Sequence, residues 1–262
     1  MHISPRNEPE TVFRLENLVV DARLEIPQLD IPVGSLVQVL GANGSGKSTL
    51  LLSLAGLITP TNGTVLFRSQ ALSEWTIAEL ATTRSYLAQE LHSEFSISVA
   101  EYLTFFSSQP ALPDAVEQSL SVSQFLQKPL VELSGGERQR VHLARCLMQV
   151  WSHLEAGNGV LLLDEPLQGL DIVFQYKVMV LLQTLQKKGN CIVMSCHDVN
   201  MAAKYSSHAI LLDKGNVLAH GPTSSAITTE NLSTCFGCKF HLIYTENAYE
   251  FFASGLNSRD SL

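Results

Sequence analysis

Long apolar runs are missing from this chain. No stretch approaches the roughly 18 apolar residues that a membrane-spanning helix requires, although 45% of the 262 residues are hydrophobic, enough for a sizeable core. An excess of positive charge is missing too, since 17 basic residues stand against 25 acidic ones for a net charge of −8. That balance argues against nucleic acid as a partner, because such binders usually turn a basic face to phosphate. The opening residues MHISPRNEPE hold no apolar segment of a secretory signal, so the chain is expected to stay in the cytoplasm. Internal repeats, low-complexity tracts and long charge runs are absent. Cysteines are few and odd in number: five, scattered, with a single CxxC at Cys235 and Cys238. His241 follows three residues later, but a metal site usually needs a second pair or histidines at set spacing, and reduced thiols are the simpler reading.

The length allows one large α/β domain or two small ones. Residues 12–40 read as short strands broken by Pro27, Pro32 and Gly34, and the apolar run Leu36 to Leu40 feeds a glycine loop. Lys47 to Ile58 reads as a helix with Leu50, Leu51, Leu54 and Leu57 on one face. From about Leu91 to Val150 the texture becomes helical, with loops at Gln109–Pro113 and Gln127–Pro129. Val160 to Leu163 and Ile192 to Cys196 are continuous apolar runs of the kind that form strands buried on both faces. Between them, Val178, Leu181, Leu182 and Leu185 make a helical stripe stopped by Gly189. Two short runs around DKGN, Ala209–Leu212 and Val217–His220, predict a hairpin. Alternation of strand and helix predicts a mostly parallel sheet with helices on its faces.

Three strings carry the chemistry. GANGSGKST, from Gly41 through Ala42, Asn43, Gly44, Ser45, Gly46, Lys47 and Ser48 to Thr49, satisfies the P-loop pattern. Its glycines let successive N–H groups turn inward on phosphate oxygens, and the following helix aims its positive end at the same charge. Lys47 supplies a mobile ammonium, and the Ser48 hydroxyl a ligand for Mg²⁺. VLLLDEP ends a strand in two carboxylates, Asp164 and Glu165, whose side chains diverge because neighbours on a strand point to opposite sides. Asp164 is the choice for Mg²⁺, and Glu165 for orienting or deprotonating an attacking water. His197 ends the adjoining strand, placed to hold Glu165 and meet a γ-phosphate. Gln89 follows the probable strand Ser85–Ala88, where its amide reaches Mg²⁺ and the water.

The third string, LSGGE, opens a helix rich in arginine. Ser134 with Glu137 three residues on makes a capping box. The capped start with Gly135 and Gly136 is also an anion site. Since one phosphate loop is already complete, the simplest use of a second is the ATP of another molecule.

Together these residues resemble the ABC transporter ATPases over roughly Phe13 to Ser224. The resemblance implies a P-loop NTPase fold with an antiparallel β subdomain and a helical subdomain at about 91–150. Residues 1–11 would be a tail, 12–230 the ATPase domain and 231–262 a C-terminal extension. It makes Gly41–Thr49 the Walker A loop, Gln89 the Q-loop, Asp164 the end of Walker B, Glu165 the catalytic glutamate, Asp171 the D-loop and His197 the H-loop. It implies ATP and Mg²⁺ and a head-to-tail homodimer. Two integral membrane permease subunits would be fed by a periplasmic binding protein, at the cytoplasmic face of the bacterial inner membrane. An aromatic residue that often stacks on adenine is missing from Val19–Leu24, which leaves Arg23 for that role. LSEWTIAELATTRSYLAQE, SVAEYLTF, SHLEAGNG and SCHDVNMAAKYSSHAILL are similar to the ATPase subunits of vitamin B12 importers, a subgroup related to those of iron-siderophore and haem importers. A soluble, non-transport ABC ATPase is disfavoured by the mere 44 or so positions between Gln89 and Leu133, too few for a coiled-coil insert. The absence of an N-K-x-D tetrapeptide disfavours a GTPase.

Overall fold

A computed structural model describes residues 10–89, 96–107, 111–244 and 249–256. Residues 1–9 of the expected tail, and parts of the loop expected at 109–113, lie outside them.

The chain opens with β1 (Thr11–Val20), β2 (Leu24–Pro32), β3 (Leu36–Leu40), α1 (Lys47–Leu54), β4 (Asn62–Phe67), β5 (Gln70–Ala71), α2 (Ile77–Thr83) and β6 (Arg84–Leu87). The helical stretch holds α3 (Val99–Phe105), α4 (Asp114–Leu120), α5 (Gly135–Gln149) and α6 (Trp151–Glu155). Alternation resumes with β7 (Val160–Leu163), α7 (Ile172–Lys187), β8 (Cys191–Ser195), α8 (Val199–Tyr205), β9 (His208–Asp213) and β10 (Asn216–Pro222). The end comprises α9 (Thr223–Ala226), α10 (Thr229–Phe236) and the pair β11 (Cys238–Tyr244) and β12 (Tyr249–Leu256).

Ten strands form one sheet in the order β5-β4-β1-β2-β10-β9-β3-β8-β7-β6. From β6 to β9 every pairing is parallel. The β9–β10 hairpin then reverses direction, β10 meets β2 in parallel at Asn216–Glu25, and β2, β1, β4 and β5 complete the edge as an antiparallel limb. This is the mixed α/β fold the motifs predict. Alternate residues of the parallel strands enter opposite cores. Leu161, Leu163, Ile192 and Met194 join α3 to α7 on one side, whereas Val160, Leu162, Val193 and Val39 join α1 and the antiparallel limb on the other.

Two sequence expectations change. Pro27 lies inside β2 and does not interrupt it. The β1–β2 pairing keeps one register on either side, Leu18–Ile26 and Glu16–Gln28, and makes no pair between Asn17, whose φ is 48°, and Pro27, so the missing N–H falls where the ladder asks for no bond. Helix α1 stops at Leu54, short of Ile58, because Gly56 takes a φ of 59°, which ends helical continuation.

A buried amide fixes the base of the parallel sheet. Asn190, fully buried, accepts from Gly159 N–H and donates to the carbonyls of Leu154 and Leu185, all at 2.8 Å. It joins the ends of α6 and α7 to the start of β7. Asn190→Ala leaves the Gly159 N–H without its acceptor and takes a donor from the Leu154 and Leu185 carbonyls, which keep the N–H groups of Gly157 and Lys188, and is expected to cost about 2–4 kcal/mol. In calorimetry that lowers Tm by about 5–10 °C, and an unchanged Tm contradicts this account of the joint.

Candidate nucleotide site

β8 lies between β3 and β7, so the P-loop leaving β3 and the acidic pair ending β7 face each other across the end of β8. Gly41 has a φ of 155°, and a Cβ there would collide with the Leu212 carbonyl and the Ser45 hydroxyl. Gly46 has a φ of 104° and caps α1 with no side-chain hydrogen bond to its first amides, which leaves them for an anion. Lys47, only 7% exposed, donates to the carbonyls of Gly41 at 2.9 Å and Ala42 at 3.1 Å. Burial lowers its pKa, while the nearby charges of Glu165 and Asp164 work in the opposite direction.

The acidic end is built by β7 and β8 jointly. Ser195 Oγ donates to Asp164 Oδ1 at 2.6 Å and accepts from Glu165 N–H at 2.8 Å. Glu165 has a φ of 49°, a left-handed conformation that costs a residue of this kind about 1–2 kcal/mol. This backbone turn accompanies a side chain that meets His197, whose Nε2 lies 2.6 Å from Glu165 Oε1. Gln139 of α5 donates to the Pro166 carbonyl at 3.0 Å and so steadies the segment from the other side.

These groups line or underlie an open cleft of about 980 Å³. Asn43, Gly44, Gly46, Lys47, Ser48 and Thr49 form one wall. Gln89, Glu165, His197 and Arg23 also line the cleft. Gly41, Ser45 and Asp164 are buried beneath, and Ala42 contributes its carbonyl to Lys47. Four expected residues stand apart: Ser134, Gly135, Gly136 and Asp171 do not line the cleft. Ser134 caps α5 in a reciprocal box with Glu137, its N–H bonded to Glu137 Oε2 at 2.8 Å. A Cβ on Gly136 would lie 2.7 Å from the Gly169 carbonyl, whereas one on Gly135 would meet open space. Asp171 caps α7, accepting from Val173 and Phe174 N–H at 3.0 Å.

Ser195 and Gln139 are functional neighbours that the sequence reading missed. The only local signal for Ser195 is a hydroxyl ending the apolar run CIVMS; Gln139 has none.

The family model of the ABC transporter matches residues 24–168, the span from β2 through the P-loop, the LSGGE turn and the acidic pair. The chain belongs to the ABC transporter family. As a member it is an ATP-binding ATPase. A vitamin B12 import ATP-binding protein of Citrobacter koseri is 37% identical to it, over 90% of this chain and 96% of that one. A hemin import ATP-binding protein of Hahella chejuensis is 36% identical, over 76% and 80%. Among solved structures, a metal-chelate-type ABC transporter in an inward-facing conformation superposes with a TM-score of 0.71 at 24% identity, covering 95% of this chain and 98% of that one. The CbiO1 protein of Clostridium perfringens, part of the CbiONQ transporter complex, gives 0.66 at 25% identity, covering 86% and 94%. The first of these likenesses speaks to the fold alone.

Ser195→Ala removes the bridge between the two acidic residues and leaves a buried N–H without its acceptor. It is expected to destabilise the protein by about 1–3 kcal/mol, read as a lower urea midpoint at unchanged slope. A midpoint equal to that of the native chain would show that the bridge carries no weight.

Proposed function

We propose that this chain is the ATP-hydrolysing subunit of a bacterial ABC importer, and that the imported substrate is vitamin B12. Two copies work head to tail on two integral membrane permease subunits, at the cytoplasmic face of the inner membrane, with a periplasmic binding protein delivering substrate. No helix among the described residues is long and apolar enough to cross a membrane, which is compatible with a peripheral subunit. One observation carries the reading: the phosphate loop and the acid–histidine pair share a cleft, while Ser134, Gly135 and Gly136 lie outside it with open space at Gly135. One chain thus holds two half-sites on different surfaces, and a second copy completes each.

In the closed dimer the Lys47 ammonium exchanges the Gly41 and Ala42 carbonyls for phosphate oxygens. Glu165 orients the attacking water and takes its proton. His197, hydrogen-bonded to Glu165, keeps that carboxylate aimed into the cleft. The Ser134 hydroxyl and the amides of Gly135 and Gly136 meet the γ-phosphate of the opposite copy, with Asp171 at the same seam. Binding then shifts the population towards the closed shape, and loss of the γ-phosphate reverses it. The oxygen donors Ser48, Gln89 and Asp164 suit Mg²⁺. No cluster of three acidic, histidine or cysteine ligands occurs among the described residues, which fits a cation held largely by phosphate and water. That cation would neutralise charge on the phosphates.

Vitamin B12 is favoured over haem because similarity to the vitamin B12 relative extends over more of both chains, although the identities are nearly equal. The segment EYLTFFSSQP also lacks the glycine–arginine–proline sequence frequent in haem and siderophore relatives. Haem is the second reading, favoured by the 36% identity to the hemin protein. Proteoliposomes carrying this subunit with its genomically neighbouring permease should couple ATP turnover to cobalamin uptake. Uptake of haemin instead would transfer the assignment.

Glu165→Gln is expected to lower turnover by about 10²–10⁴-fold while nucleotide affinity persists; near-normal turnover would defeat the assignment of the base. Separately, mixing Lys47→Ala with Ser134→Arg subunits forms heterodimers with one intact composite site. Recovery of turnover above that of either variant alone supports the shared site, and no recovery in isolated heterodimers means that a single intact site does not fire.

A further inference from the structure

The C-terminal hairpin touches the segment that carries His197. That histidine sits in a two-residue link: β8 ends at Ser195, and Asp198 caps α8 by accepting from Met201 N–H at 2.9 Å. The height of His197 above the sheet therefore depends on where α8 is held. The inner side of α8 is small, with Ala202 fully buried and Tyr205 at its far end. Its outer side is gripped by Asn200. The Asn200 amide accepts from Phe251 N–H at 2.7 Å and donates to the Phe251 carbonyl at 3.2 Å. One side chain thus satisfies both backbone groups of a single β12 residue. The Phe251 ring is buried in the same cluster as Cys196, Ala202 and Leu40. At its other end the hairpin is tied to α10, since Phe240 N–H donates to Ser233 Oγ at 2.9 Å.

We infer that Asn200 is a positioning residue for the Glu165–His197 pair, and that the C-terminal hairpin is a brace of the hydrolytic site. The inference rests on the reading of His197 as the group that holds Glu165. An amide suits the task because it holds a fixed acceptor and a fixed donor side by side without charge. A bond from Asn200 to a strand 51 positions away restrains α8 against sliding along the sheet. His197, half-exposed and held at its ring by Glu165, is bracketed by the Asp198 N–H to Cys196 Sγ contact at 3.3 Å, and the Asn200 contact adds a restraint on the start of the helix that follows. A loosened α8 lets the imidazole drift from Glu165 without disturbing the phosphate loop on β3 and α1.

The test uses the full-length chain with Asn200→Ala, Asn200→Asp, His197→Ala and the Asn200→Ala/His197→Ala double variant. Asn200→Ala is expected to lower kcat about tenfold with KM for ATP within about twofold, as small misplacements of a reacting group do. The His197 imidazole resonance, assigned from its loss in His197→Ala, should shift. Adding Asn200→Ala to His197→Ala should bring no further loss, because a residue acting only through His197 has nothing left to position. Should Asn200→Ala fail to fold, Asn200→Asp keeps the acceptor for Phe251 N–H, sets an oxygen against the Phe251 carbonyl in place of the donor, and should move kcat and the resonance in the same direction. Native kcat and an unmoved resonance in the Asn200 variants, with His197→Ala inactive, overturn this inference alone. An equal fractional loss on both backgrounds does so as well. Native turnover in His197→Ala would instead remove the reading on which it stands.

Discussion

Charge held out of water is the constraint around which this site is organised. Lys47, Asp164 and Glu165 are each less than a tenth exposed, and isolated ions at that depth would be prohibitively unfavourable. They persist because they compensate one another across the end of β8. The ammonium is shared between two loop carbonyls and felt by both carboxylates, Asp164 takes the Ser195 hydroxyl, and Glu165 takes the His197 imidazole. Such a cluster is well satisfied yet poised, since in the proposed mechanism phosphate oxygens replace both carbonyl partners of Lys47. The strand order provides the geometry: only because β8 separates β3 from β7 does a single strand deliver a bridging serine and, two residues on, a histidine.

Helix α5 links the two surfaces of the proposed composite site. It begins at Ser134 and, little more than a turn later, Gln139 grips the Pro166 carbonyl. Gly136 packs so tightly on the Gly169 carbonyl that the glycine-rich turn and the segment following Glu165 behave as one packed unit. In the proposed mechanism, a phosphate arriving at Ser134 from the opposite copy therefore bears on the backbone beside Glu165. This is a mechanical reason for the acid end of one site to sense the occupancy of the other. On the far side, the brace from Asn200 to β12 would keep His197 from yielding under the same motion.

Much of this was legible in the sequence because it is local. Turn, strand end and capping box each need only a few consecutive residues, so Gly41–Thr49, Asp164–Glu165 and Ser134–Glu137 could be read directly, and the buried strands announced themselves by unbroken apolarity, Val160–Leu163 as read and Ile192–Cys196 one residue displaced from the observed Cys191–Ser195. What stayed hidden depends on which elements become neighbours. Ser195 matters because β7 lies beside β8, Gln139 because α5 lies against the Pro166 turn, and Asn190 because two helix ends meet at one amide. Pro27 misled because its missing N–H signals a break, and only the strand pairing reveals that its position, opposite Asn17, is one the ladder leaves unpaired without losing register. The C-terminal hairpin carries no motif, and its contact with α8 spans 51 positions.

The dependence of specific ATPase activity on protein concentration tests the central claim most directly. If each reaction chamber is assembled from two copies, turnover per subunit of the isolated protein should fall steeply on dilution below the dissociation constant of the ATP-bound dimer, with the loss tracking monomer content in analytical ultracentrifugation. Constant turnover per subunit in solutions shown to be wholly monomeric would contradict it.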